Sequence, residues 1–509
     1  MRKIQRVLVS AYNKSNIIPF IKILHQNNIE IISTGGTQQV LEKSNIKVSS
    51  VESITEYPSI LGGRVKTLHP KIFGGILNRS EIKSDIEELK KYNISTFDMV
   101  IVDLYPFLET TLQTTNHEKI IEKIDIGGVS LIRASAKNYK EILIVSSAES
   151  LKEISTKIIQ QDFCTSLKDR LLFAKKAFAL TSQYEIDISN YFDRQSSNSN
   201  NLDETFSQNI TKSKKLRYGE NPHQQGRFYG NINELFTQIN GKDLSYNNLL
   251  DIDAAINLIE EFDDISFGVL KHNNACGFAT CQTTLGAWKK ALAADPVSAF
   301  GGILITNTHI DIKTSKEIHS LFFEIIIAPS FCEESIELLK TKKNRIILKK
   351  KNLNLGEVSF RSVLNGVLSQ NKDYITDNEN LRTVTKLSVS KNQMEDLKFA
   401  SKICKHTKSN AIVLVKNKQL IGLGCGQTSR VDALKQALLK AEQFGFILDG
   451  SVMASDAFFP FPDCVEIAKN KGVKAVIQPG GSKNDNLSIS YCDNNEMAMV
   501  FTGNRHFKH

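Results

Sequence analysis

At 509 residues the chain exceeds a single core of ~100–200 residues and predicts about three to four units, with 41% hydrophobic and 23% charged residues typical of globular protein. No apolar run reaches the ~18–20 residues of a membrane span, and Met1-Arg2-Lys3 enters a strand pattern without a signal-peptide core, so a cytoplasmic location is expected. The net charge of +9 favours anionic small molecules mildly, and eight cysteines without a C-x-x-C pair argue against a zinc or disulfide framework.

Val7-Leu8-Val9 predicts a strand ending at Ser10, followed by an amphipathic helix through Ile17, Ile18, Phe20, Ile21, Ile23 and Leu24. A second strand, Ile29 to Ile32, leads into Ser33-Thr34-Gly35-Gly36-Thr37 and a helix over Gln38 to Lys43. Further strands are expected at Phe97–Val102 and Glu141–Val145. Strand alternating with helix means a parallel sheet, and Ser10, Thr34, Asp103 and Ser146 should share its rim. Glycines beside hydroxyls at a helix start suit a phosphate, although a plain strand-to-helix turn also needs them.

Two further stretches concentrate cations and glycines. Gly62-Gly63-Arg64-Val65-Lys66-Thr67-Leu68-His69-Pro70-Lys71 has few apolar residues to bury, which favours an anionic ligand. Asp125-Ile126-Gly127-Gly128 opens a helix that carries Lys137 about ten residues further on. With the strings STGGT, GGRVKTLHP, LYPF, IDIGG and AKN, residues 1–195 resemble the IMP cyclohydrolase domain of the bifunctional AICAR transformylase/IMP cyclohydrolase family, whose fold is similar to methylglyoxal synthase. The resemblance implies that Ser10, Lys14, Ser33, Thr34, Gly35, Arg64, Thr67, Gly127 and Gly128 hold the nucleotide. It also implies that Lys66, Tyr105, Asp125 and Lys137 serve ring closure. Phe73 stands where the family often has His, and Asp103 replaces the usual Asn, placing a negative charge that should weaken the anion site.

The Ser/Asn-rich run from Arg194 marks a linker over 196–211, and a second domain follows over 212–509. Phe267 to Leu270 is an apolar run that ends in Lys271-His272-Asn273-Asn274-Ala275-Cys276-Gly277, which delivers a base and a cation to a sheet rim. The order strand, Cys-Gly turn, helix, Asp-then-Phe loop occurs there and again from Ala411 to Phe461, predicting an internal duplication. The basic run from Lys342 to Lys351 has no interleaved aromatics and reads as a solvated hairpin face rather than an RNA contact.

LRYGENPHQ, KHNNACG, DPVSAFGG, GQTSR, SDAFFPFPD and TGNRHFKH resemble the family's transformylase domain, a pair of cytidine-deaminase-like α/β subdomains without zinc. Ala275 stands where the family usually shows Pro. The resemblance implies that His272 takes the proton of the AICAR amine, that Lys271 faces the oxyanion and that Asn410 orients them. Arg217, Tyr218, Arg430, Arg505 and His509 would then bind AICAR, with Glu324 and Phe459 near the folate. The implied activity is formyl transfer from 10-formyltetrahydrofolate to AICAR, then dehydrative closure of formyl-AICAR (FAICAR) to IMP. A homodimer is expected, with no metal, nucleic acid or membrane partner. The alternatives are an enzyme with only one active domain, or a nucleotide-sensing protein. The presence of Lys66, Asp125, Lys137, Lys271 and His272 together argues against sensing, since binding alone would not need all five.

Overall fold

Val7, Leu8, Val9, Ile31, Ile32 and the run Met99 to Val102 are almost completely buried, as parallel strands covered on both faces require. The computed structural model arranges them in a five-stranded parallel sheet, in the spatial order Ser49–Ser50, Glu30–Ser33, Arg6–Ser10, Met99–Val102, Leu143–Val145. The chain first builds outward on one side of Arg6–Ser10, then returns to its other side. Loops diverge at such a switch point and open a crevice at the carboxyl ends of the strands. Ser10, Thr34 and Asp103 meet there, with Ser10 Oγ 3.4 Å from Thr34 Oγ1. The long helix Leu167–Ser196 packs along the helix Gly127–Lys137 and the strand Leu143–Val145.

The structure describes residues 1–196, 205–210, 212–352, 355–375, 377 and 381–509, and it divides into the units Met1–Thr211 and Lys212–His509. Ser196 belongs to the long helix. Most of the expected linker, 197–204 and 211, lies outside the described residues.

The second unit is a duplication. A helix, a hairpin, a helix, a strand, a helix, a strand, a helix and a strand run from Tyr246 to Lys350 and again from Lys391 to Phe501. Within one twelve-stranded sheet each copy keeps the same spatial order, hairpin innermost and a short antiparallel edge strand outermost. The copies meet where Asn274–Thr280 lies antiparallel to Gln419–Gly424, through the pair Ala279 and Gln419.

Local chemistry repeats too. Ser245 with Asn248, and Ser390 with Gln393, form capping boxes on the leading helices Tyr246–Ile259 and Lys391–Lys405. Each helix then offers an aspartate to its own hairpin turn. Asp251 accepts from Asn273 N at 2.7 Å, and Asp396 accepts from Asn417 N at 2.8 Å and Lys418 N at 2.7 Å. Both turns have positive φ at their two central residues, 50° and 66° at His272-Asn273 and 52° at both Asn417 and Lys418, as two-residue hairpins prefer. A Cβ on Gly277 or Gly422 would overlap the carbonyl of Ala291 or Ala437 in the following helix. Glycine is what lets each helix lie that close.

One expectation fails here. Ile346 to Leu348 form a buried parallel strand and Arg345 is buried over the Phe323 ring at 4.1 Å, so the basic run is not a solvated hairpin. Only Lys349 to Lys351 extend past the apolar segment.

Candidate active sites

In the first unit the switch-point crevice is a cavity of about 1040 Å³. Its walls come from five places in the sequence. Ser10 and Lys14 follow the first strand, Thr34 follows the second, Arg64, Lys66 and Thr67 come from the Gly-Gly loop, and Tyr105, Asp125, Gly127 and Gly128 come from the later segments. Thr34 gives no side-chain cap to the helix Gly35–Lys43, and while Thr37 N donates to Thr34 O at 2.9 Å, the N–H groups of Gly35 and Gly36 are left for an anion.

Asp125 is half-buried, and its Oδ1 accepts from Gly128 N at 2.6 Å. A Cβ on Gly128 would stand 2.6 Å from the other carboxylate oxygen, which requires glycine there. Burial pushes the Asp125 carboxyl above the usual aspartate range, opposed by the N–H groups of Gly128 and Tyr105 and by Lys66, while Asp103 pushes it further up. Burial, followed by Asp125 and Tyr12, raises the Tyr105 phenol. The pair is thus a carboxylate made more basic facing a phenol that keeps its proton.

Three expected residues are not part of this lining. Ser33 is fully buried and its hydroxyl donates to Val9 O at 2.8 Å, so its side chain is committed to the sheet. Gly35 is the first residue of its helix and offers only backbone. Lys137 is exposed at the last turn of Gly127–Lys137, ~15 Å along the axis from the helix start at 1.5 Å per residue. The structure does not bring Lys137 to the cavity of its own chain.

Asp103 lines the cavity, as its place on the rim implies, and so do Tyr12, Glu122 and Lys123, which were missed from sequence. Asp103 does not act as a loose negative charge, because it accepts the backbone N–H groups of Tyr12 and of Asn13, the latter at 2.9 Å. It therefore shapes the loop that carries Lys14. Arg64 forms an ion pair with Glu122. Tyr184 in the long helix donates to Lys123 O at 2.7 Å and accepts from Asp125 N at 2.9 Å; nothing in its local sequence signals this bridge.

In the second unit Lys271 and His272 occupy the first hairpin turn. The Lys271 ammonium donates to Phe300 O at 2.7 Å, and His272 is exposed. Asp251 and Glu324 lie close enough for His272 to lower and Glu324 to raise the Asp251 carboxyl, after burial as the main raising cause. Glu324 is held by Asn248 Nδ2 at 3.0 Å. The turn touches the other copy, since Asn274 Oδ1 accepts from Lys408 N at 3.2 Å. Asn410, two residues on, donates from Nδ2 to Gln427 O at 3.0 Å and Thr428 O at 3.1 Å. The nearby Cys276 thiol is pushed up to about 12, mainly by burial, so it is no nucleophile at neutral pH.

The C-terminal segment folds back onto this region. Ser409 N donates to Lys508 O at 2.9 Å, His506 N donates to Asp456 O at 3.0 Å, and Arg361 donates to the carbonyl of exposed His509 at 3.2 Å. Buried His506 reaches Asp373 from Nδ1 at 2.6 Å and Asp377 from Nε2 at 3.2 Å. Arg430 binds Ser455 Oγ and Asp456 Oδ1, and both Arg430 and Arg505 stand over the Phe507 ring, at 5.8 Å and 4.3 Å. Arg217 is exposed and lies over the ring of Tyr218 at 5.5 Å. Phe459 corrects the expectation of a folate contact: it is 0% exposed in an apolar core with Leu434, Cys464 and Met453. A Phe in a loop after an Asp looks accessible in sequence, but this one fills the core beneath the loop. Among the described residues no group of three or more His, Cys, Asp or Glu side chains is placed to hold a metal ion.

Comparison with known proteins bears on both units. The model of the AICARFT/IMPCHase bienzyme family matches residues 135–440 and that of the MGS-like domain matches 16–130. The "Bifunctional purine biosynthesis protein PurH" of Bacteroides thetaiotaomicron is 54% identical over 509 residues, covering 100% of this chain and 99% of that protein. Proteins of the same name from Petrotoga mobilis and Thermoanaerobacter sp. are 45% and 44% identical, each match covering 99% of this chain and 100% of the relative. The chain belongs to the AICARFT/IMPCHase bienzyme family.

Proposed function

We propose that the cavity of the first unit closes the ring of FAICAR, and that the Lys271-His272 turn, with the folded-back C-terminus, transfers the formyl group to AICAR. As a member of its family the protein is a bifunctional enzyme, catalysing the AICAR formyltransferase and IMP cyclohydrolase steps of IMP synthesis. The observation that carries the placement of ring closure is one cavity lined by Lys66, Tyr105 and Asp125 beside an uncapped helix start.

Ring closure needs the carboxamide nitrogen to attack the formyl carbon of the same molecule. Asp125, made more basic by burial, takes the N–H proton as the C–N bond forms. Tyr105, still protonated, donates to the formyl oxygen, and Lys66 balances the charge on it. Loss of that oxygen as water, with the proton of the former formamido nitrogen, leaves the C=N bond of IMP. Because the reaction is intramolecular, orientation alone can supply ~7–11 kcal/mol, and proton transfer adds ~10²–10⁴-fold.

For formyl transfer the donor in this reading is 10-formyltetrahydrofolate. The AICAR amine is a poor nucleophile, conjugated into its imidazole, so it loses a proton to His272 as it attacks. Lys271 stabilises the tetrahedral oxyanion, and collapse returns a proton to the departing folate nitrogen. Arg430 and Arg505 supply positive charge for the AICAR phosphate. A homodimer is part of this reading. It is supported by the hairpin Val358–Val363 and Gly366–Asn371, which leaves Leu364 and Leu368 exposed. A cytoplasmic location belongs to the same reading; no helix among the described residues is long and apolar enough to cross a membrane.

The test follows tetrahydrofolate release and IMP formation separately from AICAR and 10-formyltetrahydrofolate. His272→Ala should stop folate turnover while added FAICAR still cyclises. Lys66→Ala should accumulate FAICAR. IMP formation at the wild-type rate by Lys66→Ala and Asp125→Asn would remove the first unit's cavity from the scheme.

A further inference from the structure

The cavity of the first unit holds four cationic side chains, Lys14, Arg64, Lys66 and Lys123. Three have a visible counterpart in the protein. Lys14 donates to Tyr12 O at 3.3 Å, Arg64 pairs with Glu122, and Lys66 acts on Asp125. Lys123 differs: among the described residues its ammonium has neither an ion pair nor a hydrogen bond, and it rests on two aromatic faces. Its Nζ is 5.3 Å from the ring centre of Tyr12 and 5.5 Å from that of Tyr105, and those rings meet edge to face at 5.5 Å.

The backbone of this lysine is fixed. Lys123 N donates to Ile120 O at 2.9 Å, and its carbonyl accepts from Tyr184, whose hydroxyl also receives the Asp125 N–H. Tyr184 is buried in an apolar cluster with Phe107, Ile120 and Tyr191. One anchored segment thus delivers Lys123 and Asp125 together, two residues apart, to the cavity wall.

We infer that Lys123 is a further catalytic residue of ring closure, contacting the formyl oxygen as it becomes an oxyanion. The inference rests on the assignment of FAICAR cyclisation to this cavity. A half-buried cation held on ring faces is oriented without being neutralised. Its charge stays available for a negative group that forms only during the reaction, and an oriented charge in a partly desolvated site acts far more strongly there than in water. Tyr105, on which it rests, is the phenol that faces the same oxygen. Lys123 and Tyr105 together then flank the oxygen that accumulates charge and leaves as water, while Asp125 works on the attacking nitrogen.

The test supplies FAICAR to the full chain and compares Lys123→Met, which keeps the stem on the rings without the charge, with Lys123→Arg, which keeps the charge. Lys123→Met should lower kcat for cyclisation by ~10²–10³-fold, the range for removing one group that stabilises an oxyanion, with KM within about threefold and formyl transfer unchanged. Lys123→Arg should recover most of the rate. An unchanged kcat in Lys123→Met overturns the inference, as does a loss confined to KM or an equal loss in both variants. Asp125→Asn measured alongside separates the two levels. If it cyclises FAICAR normally, the placement of the reaction in this cavity fails; if it is inactive while Lys123→Met is normal, only the role of Lys123 fails.

Discussion

His506→Gln tests the physical reasoning about the C-terminal segment most directly. His506 is buried between Asp373 and Asp377. Burial opposes its charge, but the hydrogen bonds to the two carboxylates outweigh that and hold its pKa at about 9, against an ordinary 6.5. A difference of that size corresponds to roughly 3 kcal/mol, each tenfold change in proton affinity being worth about 1.4 kcal/mol. Because the folded-state pKa is raised, this stabilisation is fully present below pH 6.5 and is lost as the pH rises through about 9. The chain has one tryptophan, Trp288, and it is buried in the second unit, so its fluorescence during denaturant unfolding reports on that unit alone. His506→Gln should lose ~2–4 kcal/mol at pH 6.5–7, and the gap to wild type should narrow by pH 10. A loss below ~0.5 kcal/mol at neutral pH, or a gap that does not change with pH, would refute the account. The KM for AICAR should rise in parallel, because His506 fixes the segment carrying Arg505.

Three other outcomes follow from the geometry. Tyr184→Phe keeps the ring in its cluster but leaves Lys123 O and Asp125 N without their shared partner; a loss of ~1–3 kcal/mol in the first unit's stability and a lower kcat for cyclisation with normal formyl transfer are expected. Asp103→Asn removes a charge that raises the Asp125 carboxyl, so the acid limb of the cyclisation pH–rate profile should move to lower pH; a limb that stays in place would show that the two carboxylates do not interact. Gly277→Ala places a methyl against the Ala291 carbonyl and should destabilise the second unit by at least ~1–3 kcal/mol in the same Trp288 assay.

The periodic elements of the first unit are legible in the sequence because parallel strands buried on both faces are simply apolar runs, and the residues after them fall on one rim. The duplication is legible in the order of its elements, but the Cys-Gly pairs are not equivalent: Cys276-Gly277 lies within the strand Asn274–Thr280, Cys425-Gly426 follows the strand Gln419–Gly424, and the matching glycines are Gly277 and Gly422. Side-chain direction is what sequence conceals. Lys137 lies on the helix that begins at Gly127, yet sits at its exposed far end. Phe459 belongs to a loop motif rich in site residues, yet faces the core. Lys123 and Tyr184 were missed because their roles depend on a contact across 61 residues, for which the local sequence offers no pattern.

The two hairpin turns are docked reciprocally. The His272-Asn273 turn is met by Lys408 at the entry to the second copy's first strand, whereas Lys418 of the second turn reaches Asp264, just before the first copy's first strand, at 3.2 Å and Glu395 at 3.3 Å. Each turn is held by an aspartate of its own copy and also takes a contact from the other. The second unit is in effect a closed dimer within one polypeptide, and its equivalent ends have been put to opposite uses. One end is sealed by ion pairs and serves as a buttress; the other leaves an imidazole exposed to its surroundings. In the proposed scheme a catalytic turn that a pair of identical subunits would have to build twice is needed only once, and the second copy is free to supply binding groups such as Arg430 instead.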